Sequence, residues 1–285
     1  MALEHEEPDR VPIAFGADGA TAMLVPAYEK LKQHLGIQTE TEVFSRAFQY
    51  ARIDEQVMAR FGADIRPLVG SLAPRLGSAE GTGDSFADYW GITWDRPPGT
   101  LYYHMRRPPL QQAQTPAEIE DYAWPDAATM LDVAGLSATA RRLRHDTDYA
   151  ILGIHEGPGS IFEMAWHLRG LPEFMMDLAS NPAMAHALLR CLTDLCKEAM
   201  LSFLSEVGDS IDIIQVGDDL GTQNGPLISP QMFRTMVKPY LTEFYALIHD
   251  LTPAKLMLHS CGSVYAVLED LIEIGVDVLN PVQIS

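Results

Sequence analysis

The sequence has few cysteines and no long apolar run. Its three cysteines, Cys191, Cys196 and Cys261, are too few and too irregularly spaced for a disulfide framework. Such sparing use of cysteine is typical of proteins in a reducing compartment, so we expect this protein to be cytoplasmic. No apolar run approaches the roughly 20 residues that cross a bilayer, and no amino-terminal secretory signal is visible.

Positive charge is also scarce. The chain has 20 Lys and Arg against 39 Asp and Glu, which gives a formal net charge of −19. A surface this acidic repels phosphate groups, which argues against nucleic acid and anionic membranes as partners. The hydrophobic fraction of 47% is large enough for a sizeable core.

Short β-rich runs alternate with helical patterns along the chain, which is typical of βαβ units on a parallel sheet. We predict six strands, at Val11–Phe15, Ile65–Val69, Tyr149–Ile154, Ile211–Val216, Lys255–Leu258 and Val278–Leu279. Helices are predicted at Val25–Leu35 and Arg52–Phe61, from Asn181 and from Ser229 onward, and over Gly262–Glu273. No glycine-rich phosphate loop follows the first predicted strand, which argues against a doubly wound dinucleotide fold.

The predicted fold class is α/β, a (βα)8 TIM barrel formed by residues 1–285 as one domain. Because such a barrel has eight strands and six are predicted, we expect the chain to lack the last two βα units. The stretch from Gly81 to Gln114 interrupts the pattern with glycine, proline and aromatic residues. Its two halves, Tyr89–Trp94 and Leu101–Met105, predict a β-hairpin inserted in a loop.

A His-x-Cys pair directly follows the fifth predicted strand, in the run His259-Ser260-Cys261-Gly262. Side chains two residues apart on an extended chain point to the same side, here at the end of a barrel strand where active sites lie. Imidazole and thiolate are zinc ligands, and a catalytic zinc takes three protein ligands with one open position. We therefore predict His259 and Cys261 as metal ligands; the alternative is a buried cysteine beside a hydrogen-bonded histidine.

Two adjacent carboxylates, Asp218 and Asp219, end the fourth predicted strand. They could hold a histidine ligand, bind a cation, or act as acid and base. The alternative is an Asx turn or a helix cap. We predict a catalytic role for both, and expect one of them to lie within reach of His259.

A third group follows the third predicted strand, at His155-Glu156-Gly157-Pro158-Gly159. Glu156 stands where a barrel presents a catalytic carboxylate, and the glycines allow a substrate to approach the backbone closely. We predict Glu156 as a further catalytic residue. Ser160 and Glu163 have capping-box spacing, so Glu163 is predicted to cap a helix and not to catalyse.

Six short motifs are spread along the chain. They are residues 3–12 (LEHEEPDRVP), 217–223 (GDDLGTQ), 227–230 (LISP), 238–240 (KPY), 259–262 (HSCG) and 279–283 (LNPVQ). Together they resemble the uroporphyrinogen decarboxylase superfamily over nearly the whole chain, and this resemblance implies a (βα)8 barrel.

The superfamily contains tetrapyrrole decarboxylases and zinc-dependent methyltransferases that work with corrinoid proteins. The decarboxylases carry an Arg-Gln-Ala-Gly-Arg-Tyr segment after the first strand and a catalytic aspartate after the second. Here residues 16–21 read GADGAT, without arginine, and residues 69–71 read VGS. The chain therefore resembles the methyltransferase branch more closely.

The methyltransferases bind zinc through a His-x-Cys pair and a later cysteine. His259 and Cys261 match the pair, and the resemblance places the later cysteine beyond Ser285. It implies zinc, a corrinoid-protein partner that carries cobalamin, and methyl transfer between methyl-cobalamin and a thiol or methoxylated small molecule. We expect His155, Gln223 and Asn280 to contact this substrate. The alternatives are uroporphyrinogen decarboxylation in porphyrin biosynthesis and a non-catalytic small-molecule-binding barrel.

Overall fold

The computed structural model describes residues 1–77 and 83–283, in which strands and helices alternate. The strands are β1 (Met23–Leu24), β2 (Val43–Ser45), β3 (Tyr50–Ala51), β4 (Ile65–Leu72), β5 (Ser85–Ala87), β6 (Thr93–Asp95), β7 (His104–Arg107), β8 (Leu131–Asp132), β9 (Ala150–His155), β10 (Ile213–Gly217), β11 (Gly221–Thr222), β12 (Gly225–Pro226), β13 (Lys255–His259) and β14 (Val278–Asn280). The α-helices are α1 (Val25–Leu35), α2 (Glu55–Arg60), α3 (Pro74–Gly77), α4 (Pro116–Glu120), α5 (Leu136–Asp146), α6 (Phe162–Arg169), α7 (Leu171–Ser180), α8 (Pro182–Val207), α9 (Pro230–Met232), α10 (Lys238–Leu251) and α11 (Leu268–Glu273). A π-helical turn, Phe233–Val237, joins α9 to α10.

The main sheet has six strands in the order β14-β13-β10-β9-β4-β8. The five strands β4, β9, β10, β13 and β14 are parallel, and neighbours in the sheet follow one another in chain order. The short β8 pairs antiparallel with β4 at one edge. This order has no reversal, so the sheet is not doubly wound, and the predicted parallel α/β architecture is confirmed. Within residues 1–77 and 83–283 no ladder joins β14 to β8, so closure of the predicted barrel is not shown.

The first predicted strand, Val11–Phe15, is wrong. The segment is irregular, and its contact with the start of β4 is one backbone hydrogen bond from the Asp64 N–H to the Ile13 carbonyl (2.8 Å). The Asp64 carboxylate also accepts the Ile13 N–H (2.7 Å) and pairs with Arg10. Val11 is 83% exposed. Its β-branched and aromatic residues favour a strand, but without a partner strand they do not form one.

The other predicted strands and α1 are confirmed, with bounds that differ by a few residues. The predicted hairpin also exists, as β6 and β7 around residues 97–99, but β5 extends it to a three-stranded antiparallel sheet separate from the main one. Asp88 fixes its corner, because its carboxylate accepts the Trp90 and Ile92 N–H groups and the Trp94 indole N–H. Gly81 and Thr82, at the start of the predicted insertion, lie outside the described residues.

Helix α8 packs closely against the main sheet. A Cβ added at Gly70 would lie 2.8 Å from the Phe203 ring, and one at Gly153 would lie 3.2 Å from it, so two strands lack side chains where the ring sits. The apolar stripe of α8 is buried, including Cys196, which is an ordinary core residue. Within the described part of the chain, no helix has the length and apolar character needed to span a membrane.

Candidate metal centre

Two motifs meet at the carboxyl ends of β10 and β13. The strands pair in parallel along their whole length, so that Gly217 lies beside His259. The contact continues past the strands, because the Asp218 N–H donates to the His259 carbonyl (2.8 Å) and the Leu220 N–H donates to the Ser260 hydroxyl (3.0 Å). The two loops are thereby held in register.

Gly221 and Gly262 let these loops touch backbone to backbone. A Cβ at Gly262 would lie 2.3 Å from the Gly221 carbonyl carbon, and Gly262 has a φ of +85°. A side chain would be strained by the backbone angle and would also push the loops apart. The glycines in the two motifs therefore hold Asp219 close to Cys261.

Asp219, His259 and Cys261 converge on one point. The Cys261 Sγ lies 3.4 Å from the His259 Nε2, which confirms that the pair projects to the same side. The Asp219 Oδ1 lies 3.9 Å from the same nitrogen, and all three ligand atoms lie within 4.8 Å of one another. Ligand atoms on a tetrahedral zinc lie about 3.3–3.8 Å apart, given bond lengths of about 2.0–2.3 Å. The two measured separations are close to these values, so the three side chains form a candidate site for a zinc ion.

Asn280 orients the imidazole. Its side-chain oxygen lies 2.8 Å from the His259 Nδ1, on the adjacent strand β14. Because a carbonyl oxygen accepts, the Nδ1 carries the proton, and the Nε2 lone pair faces Asp219 and Cys261. This arrangement is the usual support of a metal-bound histidine. Asn280 was predicted to contact substrate, and although it lines the cavity, its oxygen is engaged by His259.

The Cys261 thiol holds its proton more tightly than an isolated thiol. Burial raises its pKa, and the carboxyls of Asp219 and Glu163 raise it further. A bound cation would reverse this effect, so metal binding here requires release of the thiol proton. Asp219 also accepts the Cys261 N–H (2.7 Å), which fixes the carboxylate beside the sulfur.

Asp218 has a different place from its neighbour. It is 1% exposed, and its carboxylate accepts the backbone N–H groups of Ile161 (3.1 Å), Phe162 (3.0 Å) and Glu163 (2.6 Å). The Ser160 hydroxyl donates to it as well (3.0 Å). Burial nevertheless raises its pKa to about 6. Asp218 thus caps α6 from another strand and does not face His259, whereas Asp219 does.

Asp219, His259 and Cys261, called the trio below, lie on the wall of a cavity of about 930 Å³. Three of the predicted site residues share this wall with them: His155, Glu156 and Asn280. Six aromatic residues also line it, namely Phe44, Phe48, Tyr50, Tyr89, Trp90 and Trp166. The structure thus gathers most of the predicted residues around one space large enough for a small-molecule substrate.

His155 and Glu156 line the cavity at the end of β9. Both ring nitrogens of His155 are buried without a hydrogen-bond partner, and burial lowers its pKa to about 4. One Glu156 oxygen accepts the Leu72 N–H (3.0 Å), and the other lies 3.4 Å from Arg52. At neutral pH the His155 imidazole is therefore neutral, while the Glu156 side chain is held by the Leu72 N–H and by Arg52.

Gln223 is apart from these residues. It is exposed on the turn between β11 and β12, and its side chain bonds to Gln283. It is not among the described residues that line the cavity. Its predicted contact with substrate has no support from its position.

Glu163 and His167 line the cavity from α6. Glu163 was predicted to be a helix cap, but Asp218 caps the helix and the Glu163 side chain points to the site. Burial raises the pKa of Glu163 to about 8, with further increases from Asp219 and Asp218. Burial lowers the pKa of His167 to about 4. Their spacing of four residues on one helical face was the signal that could have identified them.

Comparison with known proteins gives two findings. The family model described as uroporphyrinogen decarboxylase (URO-D) matches residues 100–281, which is more than half of the chain. A solved structure, a methyltransferase from Methanosarcina mazei, is similar with a TM-score of 0.59 and 18% sequence identity, over 98% of this chain and 73% of that one. A search of the curated proteins gave no match. The fold is therefore shared with a methyltransferase, and the chain belongs to the uroporphyrinogen decarboxylase family.

Proposed function

We propose that this protein is a zinc-dependent methyltransferase that works with a corrinoid protein. The observation that carries the proposal is the convergence of Asp219, His259 and Cys261 on the wall of a substrate-sized cavity. The substrate is a small molecule that gives a methyl group to cobalamin or takes one from it. The likeness of fold to a methyltransferase supports this reading.

Zinc would supply Lewis acidity in this site, either to lower the pKa of a thiol substrate or to polarise the ether oxygen of a methoxylated one. Asp219, His259 and Cys261 would hold the ion, with Asp219 in the ligand position that the resemblance assigned to a later cysteine. Asn280 keeps the imidazole in the tautomer that binds metal. Aromatic side chains line the same cavity as these three residues.

Tetrapyrrole decarboxylation is the alternative within the family. Its substrate is a polycarboxylate, which requires basic side chains for binding. Among the described residues that line the cavity, none is a lysine or an arginine. No observation on this cavity favours the decarboxylase or a non-catalytic role.

Metal analysis together with a methyl-transfer assay tests the proposal. We expect one zinc per chain in the wild type and transfer of methyl to or from cobalamin on an isolated corrinoid protein. Cys261→Ser should lose both, because a hydroxyl does not replace a thiolate as a zinc ligand.

Cys191→Ser is the matched control, because Cys191 lies on α8 and is not one of the described cavity residues. It should keep both zinc and activity. Full zinc occupancy in Cys261→Ser, or activity indifferent to chelation, would contradict the proposal.

A further inference from the structure

Apart from Cys261 and two tyrosines, the ionisable groups among the described residues that line the cavity are acids and histidines. The carboxyls of Asp18, Glu156 and Glu163 face the same space as Asp219 and the rest of the trio. Burial raises the pKa of Glu163 to about 8, so this carboxyl adds no negative charge at neutral pH. No lysine or arginine stands among the described lining residues. Arg52 forms an ion pair with one of these carboxyls, its guanidinium lying 3.4 Å from Glu156. Arg52 itself lines two neighbouring cavities and not this one.

The histidines do not supply the missing positive charge. Burial lowers the pKa of both His155 and His167 to about 4, so both are neutral at neutral pH. A zinc ion held by one carboxylate, one thiolate and one imidazole also adds no net charge, because two negative ligands balance it. An anionic substrate would therefore enter this cavity without a compensating cation, at a large cost in desolvation.

Aromatic faces cover the wall near the trio. Tyr50 stacks on Phe48 with ring centroids 5.8 Å apart, and both line the cavity. Tyr50 shares this cavity wall with Asp219, His259 and Cys261. Aromatic faces and carboxylates together bind organic cations, ammonium groups above all, through cation–π and Coulomb attraction.

We propose that this cavity binds a small organic cation, so that the substrate carries a quaternary or protonated ammonium group and anions are rejected. The inference rests on the proposed function for the identity of this space as the substrate site. The proposal concerns substrate binding alone, because the charged group that the cavity binds need not be the group that carries the methyl.

Three probes that share a hydroxyethyl group isolate the effect of charge. Choline is a cation, 3,3-dimethylbutan-1-ol is its neutral carbon analogue of the same shape, and 2-hydroxyethanesulfonate is an anion. Titration calorimetry on the zinc-loaded chain should show choline binding about tenfold more tightly than the neutral analogue, with no detectable binding of the anion. Equal binding of choline and its neutral analogue, or preference for the anion, would overturn the proposal.

A pair of variants tests the aromatic wall. Tyr50→Leu should weaken choline binding about tenfold, while Tyr50→Phe, which keeps the ring, should bind choline as the wild type does. Tyr265→Leu is the control for the same substitution, because Tyr265 is exposed and is not one of the described cavity residues. Unchanged choline binding in a folded Tyr50→Leu variant counts against the proposal. If that variant does not fold, the wild-type comparison of the three probes still decides.

This binding assay needs no corrinoid protein and measures no methyl transfer. A protein that holds zinc and transfers methyl groups but prefers the anion would refute the inference and leave the proposed function intact. A protein that prefers choline but holds no zinc would refute the proposed function instead.

Discussion

At the scale of the residue, Asn280 determines which nitrogen of His259 is available to a metal. We expect Asn280→Ala to weaken zinc binding by about 10- to 100-fold, because the imidazole loses the partner that fixes its ring and tautomer. Competition between the protein and a chelator of known affinity measures the change. Gln223→Ala is the control, since Gln223 is exposed and outside the described cavity wall. Equal zinc affinity in the two variants would show that Asn280 does not support the site.

His155 predicts a dependence of stability on pH. Its pKa in the folded protein is about 4, below the ordinary 6.5, because burial penalises the charged ring. Between pH 6.5 and 4 the unfolded chain therefore binds more protons at this position, and the free energy of unfolding falls as the pH falls through that window. The loss is on the order of 3 kcal/mol when complete.

Urea unfolding of the wild type and of His155→Leu at pH 4, 5.5 and 7 measures this effect. The wild type should lose more stability than the variant as the pH falls, since leucine does not titrate. Parallel pH profiles for the two proteins would contradict the assignment to His155.

The sequence was sufficient to predict some of these residues and not others. The convergence of His259 with Cys261 follows from the two-residue period of an extended chain, which is a local property. Which of Asp218 and Asp219 lies beside His259 depends on which side of the chain after β10 faces the cavity, and elements distant in the sequence determine that. Tyr50 reaches the site from β3, far away in the sequence, and no local pattern indicates it.

At the scale of the element, α6 depends on a cap from another strand. We expect Asp218→Asn to lower the free energy of unfolding by about 1–3 kcal/mol at neutral pH, because an amide leaves at least one N–H of the first turn without an acceptor. Chemical denaturation measures the difference.

Asp219→Asn is the matched comparison on the neighbouring residue. It should weaken zinc binding while changing stability less than Asp218→Asn does, since Asp219 lines the cavity and does not cap α6. If the two variants exchange these effects, the division of roles between the two aspartates is wrong.

The predicted capping box of α6 is wrong, because a residue distant in the sequence takes the hydrogen bonds that a local residue was expected to take. The spacing of Ser160 and Glu163 predicts a capping box, but the Asp218 carboxylate takes the Glu163 N–H and the Ser160 hydroxyl instead. The Ser160 hydroxyl accepts the Met164 N–H, so it still supports the first turn. A charged acceptor competes well with a hydroxyl, and its arrival from β10 is invisible in the local sequence.

At the scale of the whole molecule, the main sheet predicts a gradient of local stability. Strands β9 and β10 are paired on both sides, while residues 11–15 have little pairing. Hydrogen exchange followed by mass spectrometry should therefore find the slowest amides in β9 and β10 and much faster exchange in residues 11–15. Protection of residues 11–15 equal to that of β9 would mean that they form a strand in solution.

Asp218 and Asp219 are consecutive, yet one carboxylate holds the first turn of α6 and the other faces His259 and Cys261. Helix α6 also carries Glu163 and His167 into the cavity. The position of these two side chains relative to the trio is therefore tied to the backbone of a single dipeptide, and Glu163 lies close enough to Asp219 for that carboxylate to raise its pKa. A change in the backbone of this dipeptide would displace the cap of α6 and the Asp219 carboxylate together.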